Sequence, residues 1–154
     1  MSAAPDGRVV SVNVSAEKGV QKQPATSVTL VAGHGIEADA HAGPWHRQVS
    51  LLAGESIAKM RACGADVGPG AFGENLTIEG LVVHELPVGA RLRVAGTLLE
   101  VTQIGKVCHD RCAIFAQVGD CVMPREGIFA RVLEGGVIRS RDAVRLAADK
   151  EETP

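Results

Sequence analysis

The chain has 154 residues, of which 45% are hydrophobic and 22% charged, so we expect one globular domain, residues 1–154, with a core that needs no disulfide or metal. The formal net charge is −2 and no basic stripe stands out, which argues against a nucleic-acid partner. No apolar run reaches the roughly 18 residues of a membrane span, and the N-terminus lacks a signal-peptide pattern. We therefore expect a cytoplasmic protein.

The first part of the chain alternates strand patterns with loops. Period-two alternation predicts a strand over Arg8–Val14, and a second strand is predicted over Ser27–Val31 after a polar loop, Glu17–Thr26. Gly33–His46 has no clear period and is too rich in glycine for a helix. Ordered loops of that length are uncommon unless they bind something, so this loop is a candidate for function.

The middle of the chain predicts a strand, a short helix and a second long loop. Arg47–Leu52 has a strand pattern, and apolar residues at helical spacing from Gly54 predict a helix that ends at Gly64. Val67–Gly73 is a second glycine-rich loop. It leads into a strand at Glu74–Ile78.

The last part contains the clearest hairpin. Its arms, Val88–Val94 and Thr97–Gln103, alternate on either side of an Ala-Gly turn. Helical spacing predicts a short helix over Cys108–Gln117. Closing strands are predicted over Ile128–Leu133 and Val137–Leu146.

These patterns together predict a mainly β fold, a distorted barrel with two or three short helices. We place the motif-bearing core at about residues 33–146 and expect the tail, residues 147–154, to be frayed.

A cysteine-rich segment is the strongest functional candidate. Cys108-His109-x-x-Cys112, followed by Cys121, has ligand types and spacings that zinc accepts, although the paired C-x-x-C arrangement is missing. A second interpretation is a reactive thiol, since clustered cysteines in a reducing compartment are seldom bridged. A third is that the cysteines pack as small apolar residues. The residues alone leave all three open.

Cys108 is the best candidate for a reactive thiol. Lys106, His109 and Arg111 lie next to it in sequence, and positive charge or a helix N-terminus favours the thiolate. We expect Cys108 to react faster than the other cysteines and Cys112, one turn further on, to be buried.

Histidines and arginines elsewhere give weaker signals. His41 and His46 flank Gly-Pro-Trp at a spacing that fits neither a helix face nor a strand face. Arg47, Arg125 and Arg131 could clamp an oxyanion, because a guanidinium presents a fork of donors. The alternative is that all three are solvated surface charges.

Three blocks of sequence together resemble the MOSC domain, the module named for the C-terminal domain of molybdenum cofactor sulfurases. They are Gly35–Gly43 with Trp45–Leu52, then Gly70–Thr77, then the stretch around Cys108. They occur in the order typical of the family. The resemblance implies a barrel-like fold of the stand-alone bacterial type.

The resemblance also implies a function. It implies binding of the molybdenum cofactor (molybdopterin) and handling of sulfur, with Cys108 as a persulfide carrier or ligand. The pyridoxal-phosphate domain that extracts sulfur in sulfurases would belong to another protein, so a cysteine desulfurase-type donor is the expected partner, with a molybdoenzyme or a molybdopterin biosynthesis protein as the other.

Alternatives to this function stay open. The chain could be a sulfurtransferase, a carrier, a non-catalytic module that presents the cofactor, or a zinc-stabilised structural domain. Thiol reactivity and metal analysis distinguish them.

A phosphorylated pterin needs cations and backbone N–H groups. The loop Gly70–Asn75 can supply the latter, and we expect both long loops, Gly33–His46 and Val67–Glu74, to face the same cleft as Cys108. The expected cofactor-binding residues are Arg47, His41, Asn75, Lys106 and Arg125.

Two positions depart from the family pattern. The family usually has Gly-Asp where this chain has Ala38-Asp39, and a second Gly-Asp is replaced by Arg141-Asp142. Glycine permits backbone conformations that other residues avoid. The departures therefore bear on the local geometry of two turns.

Overall fold

The computed structural model describes residues 6–17, 22–105 and 126–147. Within these ranges one α-helix, α1, spans Gly54–Ala62, and a 3-10 turn covers Val83–Glu85. Neither is long and apolar enough to cross a membrane. The strands are β1 (Gly7–Val14), β2 (Gln23–Ala25), β3 (Ser27–Val31), β4 (Gly35–Ile36), β5 (Val49–Ala53), β6 (Leu76–Glu79), β7 (Arg91–Val94), β8 (Thr97–Ile104), β9 (Ile128–Glu134), β10 (Gly136–Arg139) and β11 (Ala143–Ala147).

Seven strands close into a barrel in the order β1–β11–β7–β8–β9–β5–β6 and back to β1. The ring closes because β1 pairs with β11 at Gly7 and Arg8 and with β6 further along. β5 and β6 run parallel and are connected through α1, as a parallel pair requires a crossover. A smaller sheet has the order β10–β3–β4. The mainly β, barrel-like fold expected from the sequence is confirmed.

The barrel wall at β5 is buried on both faces, and all five of its residues are inaccessible. Val49, Leu51 and Ala53 belong to the main core, whereas Leu52 points to the opposite face of the strand, towards α1. α1 therefore covers the outside of the barrel at this point. The second cluster consists of Leu52, Ile57, Met60, Ala65, Val67, Phe72 and Phe129.

Most predicted elements are confirmed within one to three residues. β3 matches the predicted strand at both ends, and α1 stops just before Gly64, whose φ of 102° suits glycine. Two of the loop predictions were wrong in part. The loop Glu17–Thr26 contains β2, which pairs with the end of β1, and Gly33–His46 contains β4. Both strands, β2 and β4, are too short to show a hydrophobic period in the sequence.

The single closing strand predicted over Val137–Leu146 is wrong. The chain forms β10, turns, and continues as β11 in the other sheet. The Asp142 carboxylate accepts the backbone N–H of Arg139 at 2.8 Å. A side chain that bonds its own local backbone favours a turn over a continuous strand.

The two departures from the family pattern occupy turns of the same kind. Ala38 has φ 68° and Arg141 has φ 77°. The backbone N–H of Asp39 donates to the carbonyl of Ile36 at 3.1 Å, and the backbone N–H of Asp142 donates to the carbonyl of Arg139 at 3.2 Å. A non-glycine residue thus sits third in each turn, in the left-handed region, at a cost of roughly 1–2 kcal/mol.

Candidate functional site

The residues assigned to the site from sequence divide into two groups. Arg47, His41 and Asn75 lie within the described residues. The predicted helix Cys108–Gln117 falls outside them, so its placement and the reactivity of Cys108 stay predictions. The others outside the described residues are Lys106, His109, Cys112, Cys121 and Arg125.

The described chain stops at Gly105 and resumes at Glu126, and these two ends lie side by side. The N–H of Gly105 donates to the carbonyl of Gly127 at 2.6 Å, which extends the pairing of β8 with β9. The cysteine-rich segment therefore starts and ends at one edge of the barrel.

Glu126 fixes the second of these ends to α1. Its carboxylate accepts hydrogen bonds from Ser56 Oγ and Lys59 Nζ, both at 2.5 Å. Burial would raise the pKa of Glu126, but these two partners, with a contribution from His84, outweigh burial and hold the pKa below its ordinary 4.5. The anchor is therefore a charged carboxylate.

The first end is tied to the segment before β5. Gln103 Nε2 donates to the carbonyl of Gly105 at 2.8 Å, and Gln103 Oε1 lies 2.8 Å from His46 Nε2. Because that oxygen can only accept, His46 carries its proton on Nε2. The Thr102 hydroxyl bonds the carbonyl of His46. These contacts hold His46, the residue before Arg47, against the end of β8.

Arg47 is stacked and has an unused donor. Its guanidinium carbon lies 4.6 Å from the ring centre of Trp45 and 5.6 Å from that of Phe129. Its Nε is buried and has no hydrogen-bond partner among the described residues. A buried N–H without a partner costs about 1–3 kcal/mol, so this donor suits a ligand that supplies an acceptor.

A buried cluster lies behind Trp45, whose Nε1 donates to the carbonyl of His41 at 2.8 Å. We call it the Lys22 cluster. Its acceptors lie at 2.9 Å (Asp39 Oδ1), 3.0 Å (His41 Nδ1) and 3.3 Å (Ser15 Oγ) from Lys22 Nζ. An ammonium has three protons and no acceptor, so these contacts saturate it. His41 Nδ1 can accept from this ammonium when the ring proton lies on Nε2.

The ion pair within the Lys22 cluster is fully buried, since both side chains are 0% exposed. Burial would raise the pKa of Asp39, but the hydrogen bond and charge of Lys22, with the N–H groups of Ser15 and His41, outweigh it. The pKa of Asp39 therefore lies below its ordinary 3.8. The Asp39 carboxylate is therefore ionised at neutral pH, and it fixes the loop Gly33–His46 both to Ser15, just after β1, and to Lys22, just before β2.

The second long loop meets the first at Lys22. The N–H of Lys22 donates to the carbonyl of Gly70 at 2.9 Å. Gly70 has φ +87°, and a Cβ there would collide with the carbonyl oxygen of Lys22. Both loops thus converge on one residue, whereas their position relative to Cys108 stays a prediction.

The side chain of Asn75 forms hydrogen bonds within the barrel wall. It is 0% exposed, its Oδ1 accepts the N–H of Ser50 at 2.9 Å, and its Nδ2 donates to the carbonyl of Asn13 at 3.1 Å. The side chain thereby links β5 to β1. Its assignment to cofactor binding remains a prediction.

Glu74 shapes the loop that precedes Asn75. Its carboxylate accepts from the N–H of Gly70 at 2.8 Å, from Phe72 at 3.3 Å and from the hydroxyl of Thr77 at 2.6 Å. Burial outweighs these bonds and raises the pKa of Glu74 above its ordinary 4.5. Unlike Asp39, it has no cation among its described hydrogen-bond partners.

Sequence reasoning missed Lys22, Asp39 and Glu74 as buried polar residues. Lys22 falls in a polar stretch that reads as a solvated loop, and nothing local marks it as inaccessible. Asp39 and Glu74 do lie inside the blocks that resemble the MOSC domain, which was the only available signal.

The described residues contain no group of three His, Cys, Asp or Glu side chains arranged to hold a metal ion. All four zinc candidates lie between residues 106 and 125. The zinc hypothesis therefore remains a prediction.

Comparisons with known proteins agree on the family. The MOSC domain family matches residues 38–145, which is well over half of the chain. A search of curated proteins found no match.

Solved structures share the fold. YuaD from Bacillus subtilis superposes with a TM-score of 0.75 at 16% identity, over 90% of this chain and 93% of YuaD. YiiM from Geobacillus stearothermophilus gives 0.69 at 22% identity, over 92% and 75%. YiiM from Escherichia coli gives 0.62 at 19% identity, over 92% and 70%. Identities this low support a common fold only.

Proposed function

This chain belongs to the MOSC domain family, and we propose that it binds the molybdenum cofactor, or a molybdopterin precursor, and carries sulfur on Cys108. MOSC domains are associated with binding or sulfuration of this cofactor. The observation that carries the proposal is Arg47, a cation stacked on Trp45 whose buried Nε bonds none of the described residues.

Arg47 suits one part of the cofactor. A guanidinium in contact with two aromatic rings cannot reorient freely, and it presents its remaining N–H groups in a fixed plane. A phosphate or a pterin carbonyl would satisfy the Nε donor. When bound, the cofactor supplies a molybdenum centre that can hold a terminal sulfur ligand.

The other assigned residues contribute differently. His41 and Asn75 already bond within the protein and would act by holding the two long loops in place. Lys106 and Arg125 flank the cysteine-rich segment in sequence and would add positive charge for the phosphate.

Cys108 would be loaded by thiol–persulfide exchange. Its thiolate attacks the outer sulfur of a cysteine persulfide on a desulfurase-type donor, whose pyridoxal phosphate belongs to the donor alone. One S–S bond forms on Cys108, the S–S bond of the donor breaks, and the donor cysteine leaves as a thiolate. No further oxidant or reductant is needed.

Co-purification tests the cofactor part. The protein is expressed in a host with intact molybdopterin synthesis, and released pterin and molybdenum are quantified by fluorescence and mass spectrometry. We expect bound pterin in the wild type and about a tenfold loss in Arg47→Gln, equivalent to about 1.4 kcal/mol. Arg139→Gln, at an exposed position of β10, is the matched control and should retain the pterin. Pterin-free wild-type protein contradicts the proposal.

Loading with labelled sulfur tests the thiol part. Cysteine desulfurase and radiolabelled cysteine should label the wild type and not Cys108→Ser, while the serine variant keeps its pterin. Alkylation rates over a pH series should rank Cys108 first among the four cysteines. A protein that binds pterin but never takes up sulfur would instead be the cofactor-presenting module.

A further inference from the structure

An open groove of about 630 Å³ runs along the outer wall of the barrel beside β8. Its volume falls within the range of small-molecule sites. The loop Pro87–Ala90, His46 and Thr102 contribute to its lining. Two arginines and one glutamate line it: Arg91, Glu100 and Arg131.

Strand register places these three side chains in one row. Arg91 is paired with Glu100 across β7 and β8, and Glu100 with Arg131 across β8 and β9. Arg131 Nε and Nη2 lie 2.8 and 2.6 Å from Glu100 Oε1, while Arg91 Nε lies 3.3 Å from Oε2. Side-chain exposures of 22%, 13% and 51% along the row show that the carboxylate is the most enclosed member.

The row carries more positive than negative charge. Burial would raise the pKa of Glu100, but Arg131 and Arg91 outweigh it and hold the carboxylate ionised below its ordinary 4.5. Both of its oxygens are occupied. In the described part of the chain the terminal nitrogens of Arg91 bond nothing else, so donors remain that face the groove.

The neighbouring row provides a contrast. Arg93, two residues along β7, pairs with Glu134 at 2.9 Å. That pair has one cation and one anion, is about half exposed, and does not line the groove. The Arg93–Glu134 pair therefore lies outside the groove and provides a reference for the row of Arg91, Glu100 and Arg131.

We propose that this groove binds a small molecule bearing a phosphate monoester or a carboxylate. The anionic group bridges Arg91 and Arg131, whose positions Glu100 fixes. The body of the molecule lies against Pro87–Ala90, where Val88 is 61% exposed. The proposal does not depend on cofactor binding at Arg47.

Titration of the full chain with phenyl phosphate tests it. We expect saturable binding by calorimetry, with amide NMR shifts at Gly89, Ala90 and Thr102. Arg91→Gln and Arg131→Gln should each weaken binding about 10-fold or more, since each removes a charged donor to the anion. Arg93→Gln is the matched control and should change the dissociation constant less than twofold.

Three further probes identify the ligand class. Inorganic phosphate should shift the same amides at higher concentration, and benzyl alcohol should shift none. Phenylacetate in place of phenyl phosphate distinguishes the two anions, and the tighter binder assigns the class. Added salt should weaken binding of either one.

The proposal is overturned by any of three results. They are no saturable binding of either aromatic anion at about 10 mM, shifts centred on the Lys22 cluster rather than on the groove, and equal weakening by Arg93→Gln. Melting curves of each variant accompany the titrations, because surface charge changes should leave the melting temperature nearly unchanged.

Discussion

Two groups of charged residues in this protein have similar hydrogen-bond geometry and very different surroundings. In the Lys22 cluster, Lys22 and Asp39 are 2.9 Å apart and 0% exposed. On the outer wall, Arg131 and Glu100 are 2.6 Å apart and 51% and 13% exposed. The distance between partners therefore does not separate the groups, whereas burial does.

Burial decides what each group contributes. Breaking a fully buried pair leaves an uncompensated charge in the interior and costs about 3–5 kcal/mol. Exposed pairs contribute about 0–1 kcal/mol because water solvates each partner. The Lys22 cluster therefore serves to hold the two long loops together. In the outer row of Arg91, Glu100 and Arg131, a ligand can replace one hydrogen-bond partner by another at little cost in stability.

The largest expected effect is at Asp39. Asp39→Asn leaves Lys22 charged and buried, so we expect a loss of about 3–5 kcal/mol in the free energy of unfolding by urea titration. The double variant Lys22→Met/Asp39→Leu should recover much of that loss, since no charge is left unpaired. A loss below about 1 kcal/mol in the single variant would remove the distinction between the two groups.

Glu74 extends the comparison, because it is a buried carboxylate whose described hydrogen-bond partners include no cation. Its pKa in the folded state is raised above the unfolded value of 4.5. Its stabilising contribution is therefore complete below pH 4.5 and is lost as the pH rises through the folded pKa. Asp39 behaves oppositely, contributing above 3.8 and losing its contribution as the pH falls through its lowered folded pKa.

Urea titrations of the wild type and Glu74→Gln over pH 3–8 test this sign. The difference in unfolding free energy should move in favour of the glutamine variant as the pH rises. The opposite slope would mean that the three hydrogen bonds to Glu74 outweigh its burial.

A smaller change in stability is expected at the two turns that hold a non-glycine residue at positive φ. One of these turns adjoins the Lys22 cluster and the other lies outside it. Ala38→Gly, next to Asp39, and Arg141→Gly, far along the sequence, should each stabilise the protein by about 0.5–1 kcal/mol, because glycine adopts a positive φ freely. Ala58→Gly in α1 is the opposite control and should cost about 1 kcal/mol. Thermal melts provide the readout, and destabilisation at both turns would contradict the assignment of strain.

The smallest expected effect is at the outer row. Glu100→Gln removes the shared anion, yet we expect a change of less than about 1 kcal/mol in unfolding free energy, decreasing further in high salt. Urea titrations at low and high sodium chloride check it. A loss comparable to that of Asp39→Asn would show that Glu100 is a buried structural charge.

Local patterns accounted for most of the strands. The alternation in β1 and β3 and the glycine after α1 depend only on neighbouring residues, so they are readable without tertiary contacts. β2 and β4 were not predictable because two or three residues cannot show a period. Each exists only because a partner strand satisfies its backbone groups.

The sequence alone determined the family, the mainly β fold and Arg47 as a site candidate, since each depends on motifs or periodicity within short segments. Tertiary structure decided that Lys22, in a polar stretch, is buried, whereas Arg131, on a mainly apolar strand, is half exposed. It also set Arg91, Glu100 and Arg131 in one row, because the pairing of three strands brings together residues that are distant in sequence. Burial and long-range register depend on the closed barrel, and no local pattern encodes them.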